Sequence, residues 1–130
     1  MALSNSQYNA VMRGYEERQR LQRRAMEARV REVYSKIPQI QELDRQLSTR
    51  AADCARRVLG GDTRAREHLK EELADLKEQK LTLLKSAGFP ADYMELRYDC
   101  PDCQDTGYVN GKRCHCFERQ RLNILYAQSN

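Results

Sequence analysis

The 130-residue chain contains no tryptophan and two phenylalanines, and aromatics make up 7% of it. Charged residues reach 32%, so little remains for a thick globular core. Long amphipathic helices that each bury one stripe suit this composition better. No apolar run approaches the roughly 18 residues of a membrane span, and no membrane partner is expected. The opening Met1-Ala-Leu-Ser-Asn-Ser lacks the basic and then apolar stretch of a signal peptide, so a cytoplasmic location is expected. Internal repeats and low-complexity tracts are also missing. So are catalytic signatures: there is no nucleophile–base dyad and no acid pair in a pocket-like setting. Gly60-Gly61-Asp62-Thr63 faintly suggests a phosphate loop, but it lacks the lysine and the preceding strand. It reads as a turn between helices, and the chain is not expected to be an enzyme.

Proline occurs three times and glycine six times, and their placement divides the chain. Residues 4 to about 36 hold no proline and one glycine, Gly14, and predict one long helix capped by Ser4 or Ser6. At about 1.5 Å per residue it would be roughly 45–50 Å long. Its apolar residues cluster at Tyr8, Val11, Met12 and Tyr15, then at Val30, Val33, Tyr34 and Ile37. The first group offers either a helix-in-groove ligand for a partner or a face that packs on the helices that follow. Between the groups runs an arginine-rich stretch, Arg13, Arg18, Arg20, Arg23, Arg24, Arg29 and Arg31. With Glu16, Glu17 and Glu27 beside it, this stretch reads as a solvated face, or as a contact for phosphate or an acidic partner.

Pro38 ends the first helix and suits the first turn of the next. Ile40, Leu43, Leu47, Ala51, Cys54 and Val58 form a helical seam, and Leu69, Leu73, Leu76, Leu83 and Leu84 form a second. Gly60-Gly61-Asp62 lies between them as a stop and restart, with Asp62 or Thr63 as the next cap. Two helices joined this way predict an antiparallel hairpin. Gly88-Phe89-Pro90 ends it. Cys54 reads as a small core residue, and His68 as a surface residue. A last helix is expected from about Phe117 to Ser129.

The remaining four cysteines stand in one run: Cys100-Pro-Asp-Cys103, ten residues, then Cys114-His115-Cys116. In a reducing compartment such a cluster reads as a metal site before a disulfide framework. Asn110-Gly111 is a strong hairpin signal, because a type I′ turn needs positive φ at both central residues. Centred there, the turn pairs Val109 with Lys112 and Tyr108 with Arg113. It also sets Gly107 opposite Cys114, where the missing side chain is expected to leave room for sulfur and metal. Strand alternation then points Cys114 and Cys116 to one face and His115 to the other. The expected ligands are Cys100, Cys103, Cys114 and Cys116. His115 is the alternative if a bulge or helix start intervenes. Zinc is preferred to an iron–sulfur cluster for so compact a hairpin, and four protein ligands make the metal structural. Four thiolates and one divalent cation together remove two charges from the formal +4, so the charge balance argues only weakly for nucleic-acid binding.

The run Tyr98-Asp-Cys-Pro-Asp-Cys-Gln-Asp-Thr-Gly-Tyr-Val-Asn-Gly-Lys-Arg-Cys-His-Cys-Phe117 resembles the cysteine module of bacterial helicase loaders of the DnaC/DnaI type. Specific similarity covers residues 86–130, while the helices before it are generic. The resemblance implies a zinc module after an N-terminal helical region, followed by an AAA+ ATPase domain. It implies metal ligation at Cys100, Cys103 and the Cys114–Cys116 segment, where a histidine sometimes serves. It also implies a role in DNA replication within a primosome. This region would grip the replicative helicase hexamer, and the ATP-binding part outside this chain would meet single-stranded DNA. The chain then divides into a partner-binding helical region at 1–88, a zinc module at 89–117, and a helix at 118–130 leading to that ATPase. Two other functions compete. A coiled-coil-plus-zinc-finger transcription factor acting on RNA polymerase would want acidic residues at the hairpin tip, where only Asp62 stands. A redox-switched zinc chaperone would carry its cysteine pairs in the reverse order.

Overall fold

The computed structural model describes residues 3–129. It is mainly helical, with a small antiparallel β-hairpin: α1 (Asn5–Lys36), α2 (Pro38–Leu59), α3 (Ala65–Ser86), β1 (Tyr108–Val109), β2 (Lys112–Arg113) and α4 (Cys116–Ser129). The expected fold class is therefore present. Two compact units form, Met1–Glu27 with Glu95–Asn130, and Ala28–Met94. These divisions lie elsewhere than at residues 88 and 117, because the start of α1 belongs with the cysteine module.

The unit Ala28–Met94 is built on the helical hairpin. Ile37 caps α2, and Pro38 occupies its first helical position, where a missing N–H costs nothing. Val33, Ile37, Ile40 and Leu84 form a buried core, with Tyr34, Leu83, Phe89, Tyr93 and Met94 packed around it. Ile40 meets Leu84 in that core, Lys80 Nζ lies 2.7 Å from Asp44, and Arg50 lies 3.1 Å from Glu72. Residue numbers rise on α2 as they fall on α3, so the helices are antiparallel. Cys54 is buried as expected, and His68 is exposed.

Two local expectations need correction. Ala51 is exposed although the seam included it; α2 faces one neighbouring helix there, and a two-helix contact covers a narrow stripe. The N-cap of α3 is Arg64, without a side-chain cap bond. Asp62 instead turns its carboxylate to the N–H of Arg64 at 3.0 Å, closing the connecting loop before the helix begins.

In the other unit, Ser4 and Gln7 start α1 with a reciprocal capping box. The Ser4 hydroxyl accepts the Gln7 N–H at 3.2 Å, and the Gln7 side chain accepts the Ser4 N–H at 2.9 Å. Val11 and Tyr15 are buried with Cys103, Cys114, Cys116 and Phe117, and Leu3, Tyr8, Met12, Cys100 and Ile124 pack around them. The apolar edge of α1 is thus neither a free groove ligand nor a face laid on the helical hairpin. It is covered by the cysteine module. Periodicity defines which face of a helix is apolar, but a partner 100 residues away leaves no trace in it.

Candidate metal centre

The β-hairpin turns on Asn110 and Gly111 at φ 52° and 78°, as a type I′ turn demands. Tyr108 pairs with Arg113 and Val109 with Lys112. The N–H of Cys114 then bonds to the Gly107 carbonyl at 2.8 Å. Strand geometry stops there, and α4 begins at Cys116. Alternation along a strand therefore does not carry Cys116 to the site; the first turn of a helix does, with the Phe117 N–H bonding to the Cys114 carbonyl at 2.9 Å. A helix start at this point was the condition for His115 to turn inward. It nevertheless points out, 70% exposed, with Nε2 at 2.5 Å from Asp102 Oδ2.

Gly107 also has a different reason from the expected one. Its φ is +84°, and a Cβ there would lie 2.8 Å from the Tyr15 ring. The missing side chain makes room for an aromatic ring of α1 rather than for metal.

The first cysteine pair is shaped by Asp105, which sequence reasoning missed. Its side chain is 1% exposed and accepts the N–H groups of Asp99 at 3.0 Å and Cys100 at 2.8 Å. Gln104 and Asp105 both adopt positive φ, 55° and 60°, which reverses the chain after Cys103. Gln19 of α1 reaches the Asp105 carbonyl at 2.6 Å, and Gln22 reaches the Asp99 carboxylate at 2.7 Å. An aspartate two residues past a Cys-x-x-Cys turn is a usable signal, since short acidic side chains readily take up loop N–H groups.

Together these elements converge four sulfurs. Those of Cys100, Cys103, Cys114 and Cys116 all lie within 4.8 Å of one another. The Cys100–Cys114 and Cys103–Cys116 separations are both 3.7 Å. A tetrahedron of sulfurs about 2.3 Å from a central ion has edges of about 3.8 Å. Two edges of the quartet already match that length, and the donor set is of the kind that holds a metal ion. A second grouping, Cys100 with Asp102 and His115, shares one sulfur with the first and is otherwise exposed.

Backbone dipoles and burial act on the sulfurs in opposite directions. The Cys103 N–H donates to the Cys100 sulfur, with a further bond from the Asp102 N–H, and lowers that thiol to about 7. Burial pushes the Cys116 thiol up to about 12, against the hydrogen bond from Tyr15. In Cys114 the Cys116 N–H lowers the thiol, but burial and the neighbouring sulfurs outweigh it and the net direction is upward. A divalent ion at the centre would reverse such resistance, because its charge favours every thiolate at once.

Tyr15 is the other residue that sequence reasoning did not place here. Its hydroxyl lies 2.9 Å from the Cys116 sulfur, and its ring stacks on Phe117 with centroids 6.1 Å apart. Burial raises its phenol well above the ordinary range, so the hydroxyl remains a donor. Arg18 covers the outer face of the ring at 4.4 Å, and Arg113 lies over Phe117 at 4.5 Å.

The remaining candidates are not members of the sulfur group. Cys54 lies buried in α2. Of the arginine stretch, Arg20 pairs with Glu17 and Arg29 bonds to the Tyr93 carbonyl, while Arg13, Arg23, Arg24 and Arg31 are exposed. No helix among the described residues is long and apolar enough to cross a membrane. The fold and site define a helix-braced four-cysteine module whose sulfurs are close enough together to hold a metal ion. Compared with known proteins, the chain matches no family model, no curated protein and no solved structure.

Proposed function

We propose that this chain is the helicase-binding adaptor region of a DnaC/DnaI-type helicase loader, held together by a structural zinc ion at Cys100, Cys103, Cys114 and Cys116. The single observation that carries the metal half is the sulfur quartet, with its two 3.7 Å edges. Four thiolates suit zinc, and a closed tetrahedron has no vacant position for water or substrate, so the ion shapes the fold and catalyses nothing. Four thiols of this kind suit a reducing, cytoplasmic setting. The residues that hold the ion are brought into register by Asp105 and by the Asn110-Gly111 turn; when bound, zinc supplies the charge that keeps all four sulfurs deprotonated.

The replication half rests on the resemblance of residues 98–117 to the loader module. With the Tyr8–Tyr15 edge already covered, the exposed arginines of α1 are the natural contact for the helicase. ATP binding and single-stranded DNA belong to the ATPase domain of such a loader. The test is a pull-down with the host replicative helicase, alongside zinc measured per chain. Stable binding, weakened by charge reversal at Arg20, Arg23 and Arg24, is expected. A zinc-loaded chain that ignores the helicase overturns the loader assignment and leaves the metal site standing.

A further inference from the structure

From the Tyr15–Cys116 contact we infer that Tyr15 is a positioning residue of the metal site, and that its hydroxyl links metal retention to the seating of the first half of α1 on the cysteine module. The inference rests on the metal reading of the four sulfurs and goes beyond it, because Tyr15 comes from a helix that no ligand belongs to.

Three observations support it. The hydroxyl oxygen is 2.9 Å from the Cys116 sulfur across 101 residues of chain. The ring is held on both sides: it stacks on Phe117, and it lies where a Cβ of residue 107 would sit, 2.8 Å from that atom's ideal position. The side chain is 1% exposed, so water does not compete for the sulfur from that side. A phenol fixed in this way donates to a thiolate and to little else. Hydrogen bonds to ligating atoms orient them and withdraw charge from them, and their loss costs roughly 10–100-fold in metal affinity in known sites. Because Tyr15 shares α1 with Val11, the same bond makes metal occupancy favour the docked helix, and the docked helix favour metal occupancy.

The experiment compares wild type, Tyr15→Phe and Tyr8→Phe. Tyr15→Phe keeps the ring and its packing and removes only the donor. Tyr8→Phe removes a hydroxyl from the same core, one that bonds to Tyr108 at 2.6 Å and not to sulfur. Zinc transfer to a chromophoric chelator is timed, and the thiolate-to-metal charge-transfer band of the cobalt-loaded protein is recorded. Tyr15→Phe should release zinc roughly tenfold faster, at the low end of that range, and shift the band to lower energy, while Tyr8→Phe behaves as wild type. An unchanged release rate and band in Tyr15→Phe overturns the inference while the metal site stands. Equal acceleration in both variants assigns the effect to core packing and also overturns it. Wild type that takes up neither zinc nor cobalt overturns the metal site itself, and the inference with it.

Discussion

Gly107 lies against the ring of Tyr15 so closely that a single added carbon would stand 2.8 Å from a ring atom. That approach locks the start of α1 to the β-hairpin, and the positive φ of Gly107 adds a second demand that side-chain residues meet poorly. Gly107→Ala should therefore cost about 2–3 kcal/mol, from overpacking and backbone strain together. Urea unfolding of the zinc-loaded chain measures it. In a Tyr15→Ala background the steric part should vanish and the backbone part remain, so the cost of Gly107→Ala should shrink. An undiminished cost there would show that the ring contact is irrelevant.

Asp105 is the only side chain among the described residues that is both polar or charged and buried. It satisfies two N–H groups beside the first metal-site cysteine. Asp105→Ala leaves both donors without a partner and should destabilise the module by about 2–4 kcal/mol. Asp105→Asn keeps an acceptor oxygen and should cost less than half as much. Zinc affinity should fall in the same order, since the Cys100 N–H sets where that sulfur points. Equal stability of the three proteins would contradict the clamp.

The exposed position of His115 separates the two possible ligand sets. Cys100→Ser, Cys103→Ser, Cys114→Ser and Cys116→Ser should each drop bound zinc well below one ion per chain. His115→Ala should keep it near one and lose only the surface bond to Asp102. Stripping the metal with a chelator should unfold residues around the hairpin and leave most of the helical circular dichroism, because the core of the Ala28–Met94 unit contains none of the four sulfurs. Metal loss in His115→Ala with retention in Cys114→Ser would reverse the ligand assignment.

Alkaline pH should act on the Ala28–Met94 unit through Tyr34 of α1. Burial, reinforced by a hydrogen bond to Asp44, raises its phenol from 10.0 to about 12. A group whose value is raised by folding contributes stability that is complete below its unfolded value and disappears as pH climbs to the folded one. Between pH 10 and 12 the wild-type urea midpoint should thus fall more steeply than that of Tyr34→Phe. Parallel curves for the two proteins would remove Tyr34 from the account.

Much of this molecule was legible one residue at a time. The helix from residue 5 to 36, the break at Pro38 and the turn at Asn110-Gly111 follow from rules that act over a few residues. The reason for Gly107 and the route by which Cys116 enters the site were misread. Both depend on where a strand stops and on what packs over it.

The sequence alone determined the four helices and the hairpin register and singled out the cysteine cluster, with His115 left as an alternative ligand, because helix breaks, turn chemistry and cysteine spacing are local. Only the tertiary structure decided that Tyr15, Gln19 and Gln22 of α1 serve the cysteine module, and that the apolar edge of the first helix is spent inside the chain rather than offered to a partner. An amphipathic stripe records that a face must be buried, and contains no information about which distant surface will bury it.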